Sequence, residues 1–125
     1  MKLLLDTHIF ISWLADDRRL AQAATAAIQS DQHKVAVSVA TLWEIVVKSR
    51  AGKLAVDLAE AEREIIESGF ERLAIGRNHL SMLADLPKHH RDPFDLLLIA
   101  QALSEGATMI SVDRAFCAYP VELLA

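Results

Sequence analysis

Short apolar runs alternate along this chain with stretches of helical spacing, and each run stops at a polar or turn residue. KLLL at 2–5 has strand length and halts at Asp6, and THIFISWLA directly after it carries the helical period. LAQAATAAIQS (20–30), rich in the strongest helix former, predicts a second helix. DQHK then makes a polar loop and VAVS (35–38) a second buried strand, with Ser38 able to cap a helix over 39–50 that Gly52 closes. LAEAEREIIES forms a further helix ending at Gly69, FERLAI (70–75) a third strand, 77–85 a short helix and 87–91 a loop. Pro93–Glu105 is a helix stopped by Gly106, and ATMISV (107–112) is a strand running into Asp113. The tail beyond it is predicted to be weakly structured.

Strands alternating with helices over the whole length predict an α/β fold, three layers with a central, mostly parallel sheet. No linker, repeat or low-complexity segment interrupts 1–125, so one domain is expected. Such sheets bind ligands beyond the carboxyl ends of their strands, near the point where strand order reverses. Two apolar strands here run straight into an aspartate. If both are central, Asp6 and Asp113 arrive at the same edge.

Composition narrows the chemistry. The chain has 125 residues, 53% of them apolar, enough to bury one core without staples. No apolar run approaches the roughly 18 residues of a membrane helix, and the run before Asp6 is too short for an export signal, so a cytoplasmic location is expected. Cys117 is the single cysteine, which excludes an internal disulfide and a thiolate metal cage. A net charge of −4 gives no global basic field, so a nucleic-acid partner needs a local patch. Basic residues gather at Arg18–Arg19, at KSRAGK (48–53) and at PKHHR (87–91), groupings that equally suit a solvated surface.

The acidic residues carry competing readings. Asp6 and Asp113 each suit the start of a helix or turn, which alone explains them. Glu44 lies among Leu42, Trp43, Ile45, Val46 and Val47; at ~100° per residue Thr41, Glu44 and Lys48 share one narrow stripe, so Glu44 is either half of an i, i+4 pair with Lys48 or a site residue on a buried helix. Asp92 before Pro93 is the expected N-cap and first helical residue. Asp95 then sits three residues into the helix, where an acid meets the positive end of the dipole, yet the LLLIA that follows buries its surroundings.

Taken together, Asp6, Glu44, Asp95 and Asp113 edge the most apolar segments of the chain. Converging there they repel one another and lose solvation unless a cation offsets the charge. A hard divalent ion, Mg²⁺ or Mn²⁺, suits oxygen ligands, and such a cluster suits hydrolysis of phosphate esters. The start of the helix at Asp92–Asp95 offers N–H donors for a phosphate.

These stretches resemble the motifs of PIN-domain ribonucleases, in particular the VapC-like toxins of bacterial type II toxin–antitoxin pairs. LLLDTH (3–8), LWEIVVKSRAGKL (42–54), HRDPFDLLLIAQAL (90–103) and SVDRAF (111–116) match four acidic motifs in order over nearly the whole chain. The resemblance implies a PIN-like three-layer fold. It also implies Mg²⁺- or Mn²⁺-dependent RNA cleavage, metal held by Asp6, Glu44, Asp95 and Asp113, a homodimer, and silencing by a cognate antitoxin protein. It picks Asp95 over Asp92 as the site residue, and sets Thr7 and Ser111 beside the acids as hydroxyls that orient them. Leu96 and Ser111 depart from the arginine and threonine that members often carry there. Lys48, Arg50, Lys53, His89, His90, Arg91 and Arg114 are expected as surface residues available to a phosphate backbone, and His8 as a helix-start residue.

Two other functions stay open. A phospho-acceptor receiver domain also binds Mg²⁺ at strand-end aspartates, but it needs a second acid where Thr7 stands and a lysine where Arg114 follows Asp113. A catalytically inactive PIN-like binding module would have no need of all four acids.

Overall fold

A computed structural model describes residues 1–17 and 19–124, so Arg18 of the first basic pair lies outside the described residues. The elements are β1 (Lys2–Leu5), α1 (Thr7–Leu14), α2 (Gln22–Gln29), β2 (Lys34–Ser38), α3 (Val39–Arg50), α4 (Leu58–Glu67), β3 (Glu71–Leu73), α5 (Arg77–Ala84), α6 (Pro93–Glu105), β4 (Thr108–Ile110) and β5 (Leu123–Leu124), with a 3-10 helix at Arg114–Ala118. The five strands pair as a parallel sheet in the order β3-β2-β1-β4-β5.

Both sheet faces are covered, as a parallel sheet requires. Leu3, Leu5, Val35, Val37 and Ile110 face α1, α2 and α4, where Ile9, Phe10, Ala24, Ile28, Ala61 and Ile65 meet them. Leu4, Ala36 and Met109 face the other way, against Leu98, Ile99 and Ala102 of α6 and against Phe116 and Tyr119. α3 lends Leu42 and Ile45 to the first layer and Ala40 to the second. Ser38 caps α3 by accepting from the Ala40 amide, and Gly106 closes α6 at φ 63°, a left-handed turn that costs glycine nothing.

The tail departs from expectation. Leu123–Leu124 adds a fifth strand beside β4, and Arg114–Ala118 a turn of 3-10 helix. Two apolar residues carry no period, so only pairing with an existing strand makes them β. The predicted strands at 70–75 and 107–112 shrink to three residues each, and the helix predicted over 20–30 runs Gln22–Gln29, with Ala21 at its N-cap position.

Strand order fixes where ligands can sit. From β1 the chain steps through β2 to β3 on one side, then returns to place β4 on the other side of β1. The reversal lies between β1 and β4, and their carboxyl ends carry Asp6 and Ser111–Asp113.

Candidate metal centre

Asp6 leaves β1 where the chain turns into α1, and one side-chain oxygen accepts the Ile9 amide at 2.7 Å as the helix cap. The other accepts the Ser111 hydroxyl, so the exits of β1 and β4 are tied through side chains as well as through the Asp6 N–H to Ile110 carbonyl bond. Ser111 also accepts the Asp113 amide at 3.0 Å, and Asp113 caps the 3-10 helix through Ala115 at 2.9 Å. The capping roles and the placement at one edge therefore coexist.

Glu44 is 2% exposed, although its helix carries Trp43 and Val47 to the surface. Its Oε1 accepts the Thr7 hydroxyl at 2.7 Å, and that hydroxyl lies 3.2 Å from Thr41. Its Oε2 meets the Lys48 ammonium at 2.8 Å, so the pair with Lys48 exists with the carboxylate end buried. Lys48 has its pKa raised, chiefly by this hydrogen bond.

Asp95 follows Asp92 by three residues, and the structure separates their tasks. Asp92 Oδ1 accepts the amides of Phe94 and Asp95 at 2.9 and 3.1 Å, while its carbonyl accepts Leu96 at 3.0 Å. Pro93 has no N–H. The amides expected to greet a phosphate at this helix start are thus already engaged, which corrects that part of the sequence-based picture. Asp92→Ala is expected to lower stability by about 1 kcal/mol with cleavage retained, measured by urea denaturation beside an RNA assay; lost cleavage at unchanged stability would reverse the two roles.

Asp95, free of capping duty, meets His90: Nε2 of the ring lies 2.9 Å from Oδ2. Donor atoms of His90, Asp95 and Asp113 all lie within 4.8 Å of one another. Asp113 also pushes on Asp6, and Glu44 on Asp95, through their charges. The structure therefore brings Asp95 and Asp113 together directly, with Asp6 adjoining through Ser111 and Glu44 adjoining through Thr7 and Lys48.

His90, expected as a surface group available to a phosphate backbone, is instead half-buried against Asp95. Its sequence signal is that it opens the third motif, five residues before Asp95. Thr41 likewise gave no signal beyond sharing the stripe with Glu44. Arg50, Lys53, Lys88, His89, Arg91, Arg114 and His8 are exposed, as expected of surface groups. A cavity of 680 Å³ lies near the opposite ends of the strands among Trp13, Ile28, His33 and Phe70, and Asp6, Glu44, Asp95 and Asp113 do not line it.

Burial pushes both the Asp6 and Asp95 carboxyls up. For Asp6 the Ser111 hydroxyl and the Ile9 amide oppose the rise and Asp113 adds to it; for Asp95 the His90 bond opposes it while Asp92 and Glu44 add to it. A carboxyl whose folded-state pKa exceeds its unfolded value weighs against the fold when charged. That penalty is lifted as pH falls through the raised pKa toward the ordinary 3.8. In chelator-treated protein, Asp95→Asn is expected to melt higher than the parent at about pH 7, the difference closing near pH 4. A lower melting temperature at neutral pH would mean that the charged bond to His90 outweighs burial.

The donor set suits a hard divalent cation. It offers carboxylate oxygens and one imidazole, and Cys117 is exposed on the 3-10 helix away from any thiolate cluster among the described residues.

A family model described as PIN domain matches residues 3–122. Among solved structures, the chain is similar to one in the complex of VapBC2 from Rickettsia felis bound to a DNA fragment from their promoter, at 16% identity and a TM-score of 0.74, covering 99% of this chain and 98% of that one. It is similar to a chain of VapBC-5 from Mycobacterium tuberculosis, a member of the VapBC family of toxin–antitoxin systems, at 26% identity and a TM-score of 0.63, covering 98% and 97%. A toxin–antitoxin complex from Klebsiella pneumoniae gives 19% identity and a TM-score of 0.67, covering 98% and 96%. No curated protein matches the chain at a significant level.

Proposed function

Because this chain belongs to the PIN-domain family, we propose that it is a divalent-metal-dependent endoribonuclease and the toxin of a toxin–antitoxin pair. The observation that supports the reading is that Asp95 of α6 meets Asp113 at the exit of β4, with Asp6 adjoining through Ser111 where strand order reverses, and that burial pushes Asp6 and Asp95 both up. Like charges drawn out of water at one point disfavour the fold, and a cation offsets them.

Asp6, Glu44, Asp95 and Asp113 are the proposed holders of Mg²⁺ or Mn²⁺. When bound, such an ion supplies Lewis acidity toward a phosphodiester and lowers the pKa of water. The chain's own groups set the geometry. Ser111 fixes Asp6 and, through its accepted amide, the turn carrying Asp113. Thr7 fixes Glu44 from one side and Lys48 from the other. Lys48, bonded to Glu44, also feels the charges of Asp92 and Asp95, so a cation stands at the edge of the acids, suited to guiding a phosphate. The net reaction adds water across a P–O bond: oxygen bonds to phosphorus, and the leaving ribose oxygen takes the proton.

Of the similar solved structures, one is a toxin–antitoxin complex, another belongs to a family of toxin–antitoxin systems, and two hold a DNA fragment. By extension this chain is proposed to be covered by a small antitoxin and to form a homodimer in the cytoplasm. No described helix is long and apolar enough to cross a membrane.

Purified protein incubated with RNA is expected to cleave it in Mn²⁺ or Mg²⁺ and to stop on addition of EDTA. Cleavage that chelation leaves untouched would remove the metal from the account.

A further inference from the structure

The loop from Pro87 to Arg91 has no helix or strand of its own, yet one buried phenol holds it. The Tyr119 hydroxyl accepts the amides of His89 and His90 at 3.1 and 3.0 Å and donates to the Pro87 carbonyl at 2.8 Å. A phenol has one proton to give and lone pairs to receive, so this one is fully used. Tyr119 is 3% exposed and packs in the α6 layer, so its oxygen is a fixed point to which the loop is fastened. The His90 ring stands edge-on to Phe116, with centroids 6.3 Å apart and planes at 82°. Backbone and ring are thus both constrained, and what they aim at is Asp95, with Asp113 in the same cluster.

We propose that His90 is a nitrogen ligand of the cation site formed by the acids, and that Tyr119 is the positioning residue that keeps it there. This rests on the reading that the carboxylates hold a divalent ion. An imidazole nitrogen is a softer donor than carboxylate oxygen. Mg²⁺ favours oxygen and keeps its waters, whereas transition ions accept nitrogen readily. A site of three or four carboxylates alone has little means of telling Mg²⁺ from Mn²⁺; adding His90 tilts it toward Mn²⁺. The competing account, in which His90 only donates a hydrogen bond to orient Asp95, leaves that preference unaltered.

The test uses the full chain and the metals alone, without RNA. Mn²⁺ is titrated by electron paramagnetic resonance, nitrogen coupling to the bound ion is read by electron spin-echo modulation, and Mg²⁺ affinity is measured by competition. The wild type is expected to show coupling to a directly bound imidazole nitrogen. His90→Gln is expected to lose that coupling and bind Mn²⁺ about tenfold more weakly, with a smaller change for Mg²⁺. Tyr119→Phe, with its melting temperature checked in parallel, is expected to lose nitrogen coupling in the same way.

Coupling that persists in His90→Gln would assign the nitrogen elsewhere, His8 beside Asp6 being the nearest other source in sequence, and would overturn the inference. So would Mn²⁺ bound to the wild type without nitrogen coupling, or an equal loss for both ions in His90→Gln; either leaves the carboxylate site standing. A melting shift in Tyr119→Phe with coupling intact would reduce Tyr119 to a structural residue and overturn its positioning role. Failure of the wild type to bind Mn²⁺ at all would overturn the metal reading itself.

Discussion

Asp6→Asn is expected to lower RNA cleavage by at least about a thousandfold, the scale of several kcal/mol that metal coordination contributes to a transition state, while the fold persists. Asparagine keeps an oxygen for the Ile9 amide and turns its NH2 toward the Ser111 oxygen, which can accept it, so the start of α1 survives and the tie between β1 and β4 persists with its donor reversed. What disappears is the negative charge. Because burial and Asp113 already push the Asp6 carboxyl up, neutralising it removes a strain from the metal-free protein. The variant should therefore melt no lower than the parent in chelator. A labelled RNA assay beside thermal denaturation decides the matter: a folded Asp6→Asn protein cleaving within tenfold of the parent would end the metal-based account.

The second large effect belongs to the core beneath the site. Phe10 is fully buried on α1 against the sheet, in the layer that also holds Ile9, Ile45 and Ile65. Phe10→Ala is expected to destabilise the protein by about 3–5 kcal/mol, a large share of the 5–15 typical of a domain. Since α1 begins at Asp6, loosening that helix also loosens the cap that orients the carboxylate. Binding of Mn²⁺ to the native form alone would restore about 2.7 kcal/mol at a hundred times its Kd. Urea midpoints with and without Mn²⁺ measure both quantities. A loss below 1 kcal/mol would show that α1 contributes little to the core.

Much of this architecture is written in local pattern. The apolar runs at β1 and β2, the caps at Ser38 and Asp92, and the glycine at 106 each act within a few residues of themselves, so periodicity and turn chemistry disclose them. The choice of Asp92 over Asp95 as cap is of this kind, and the two amides on Asp92 match it. Other features are settled only by what the folded chain brings near. β5 is a strand because β4 offers an unpaired edge. His90 meets Asp95 while its backbone is bonded to a tyrosine about thirty positions later, a contact that local pattern around PKHHR does not disclose. The α6 amides illustrate the reverse: a helix start promises free donors in general, and here one side chain consumes them.

The bond between Ser111 and Asp6 spans 105 positions of sequence, and β4 slots in beside β1 only once the long segment between them exists. During synthesis, a ribosome-tethered product that has exposed Asp6, Glu44 and Asp95 still lacks the central neighbour of β1 and the turn bearing Asp113. Contacts between the two ends of a chain form late and slowly. On the proposed function, the site that would cleave RNA is assembled only after the segment through Asp113 has been made and β4 has paired with β1.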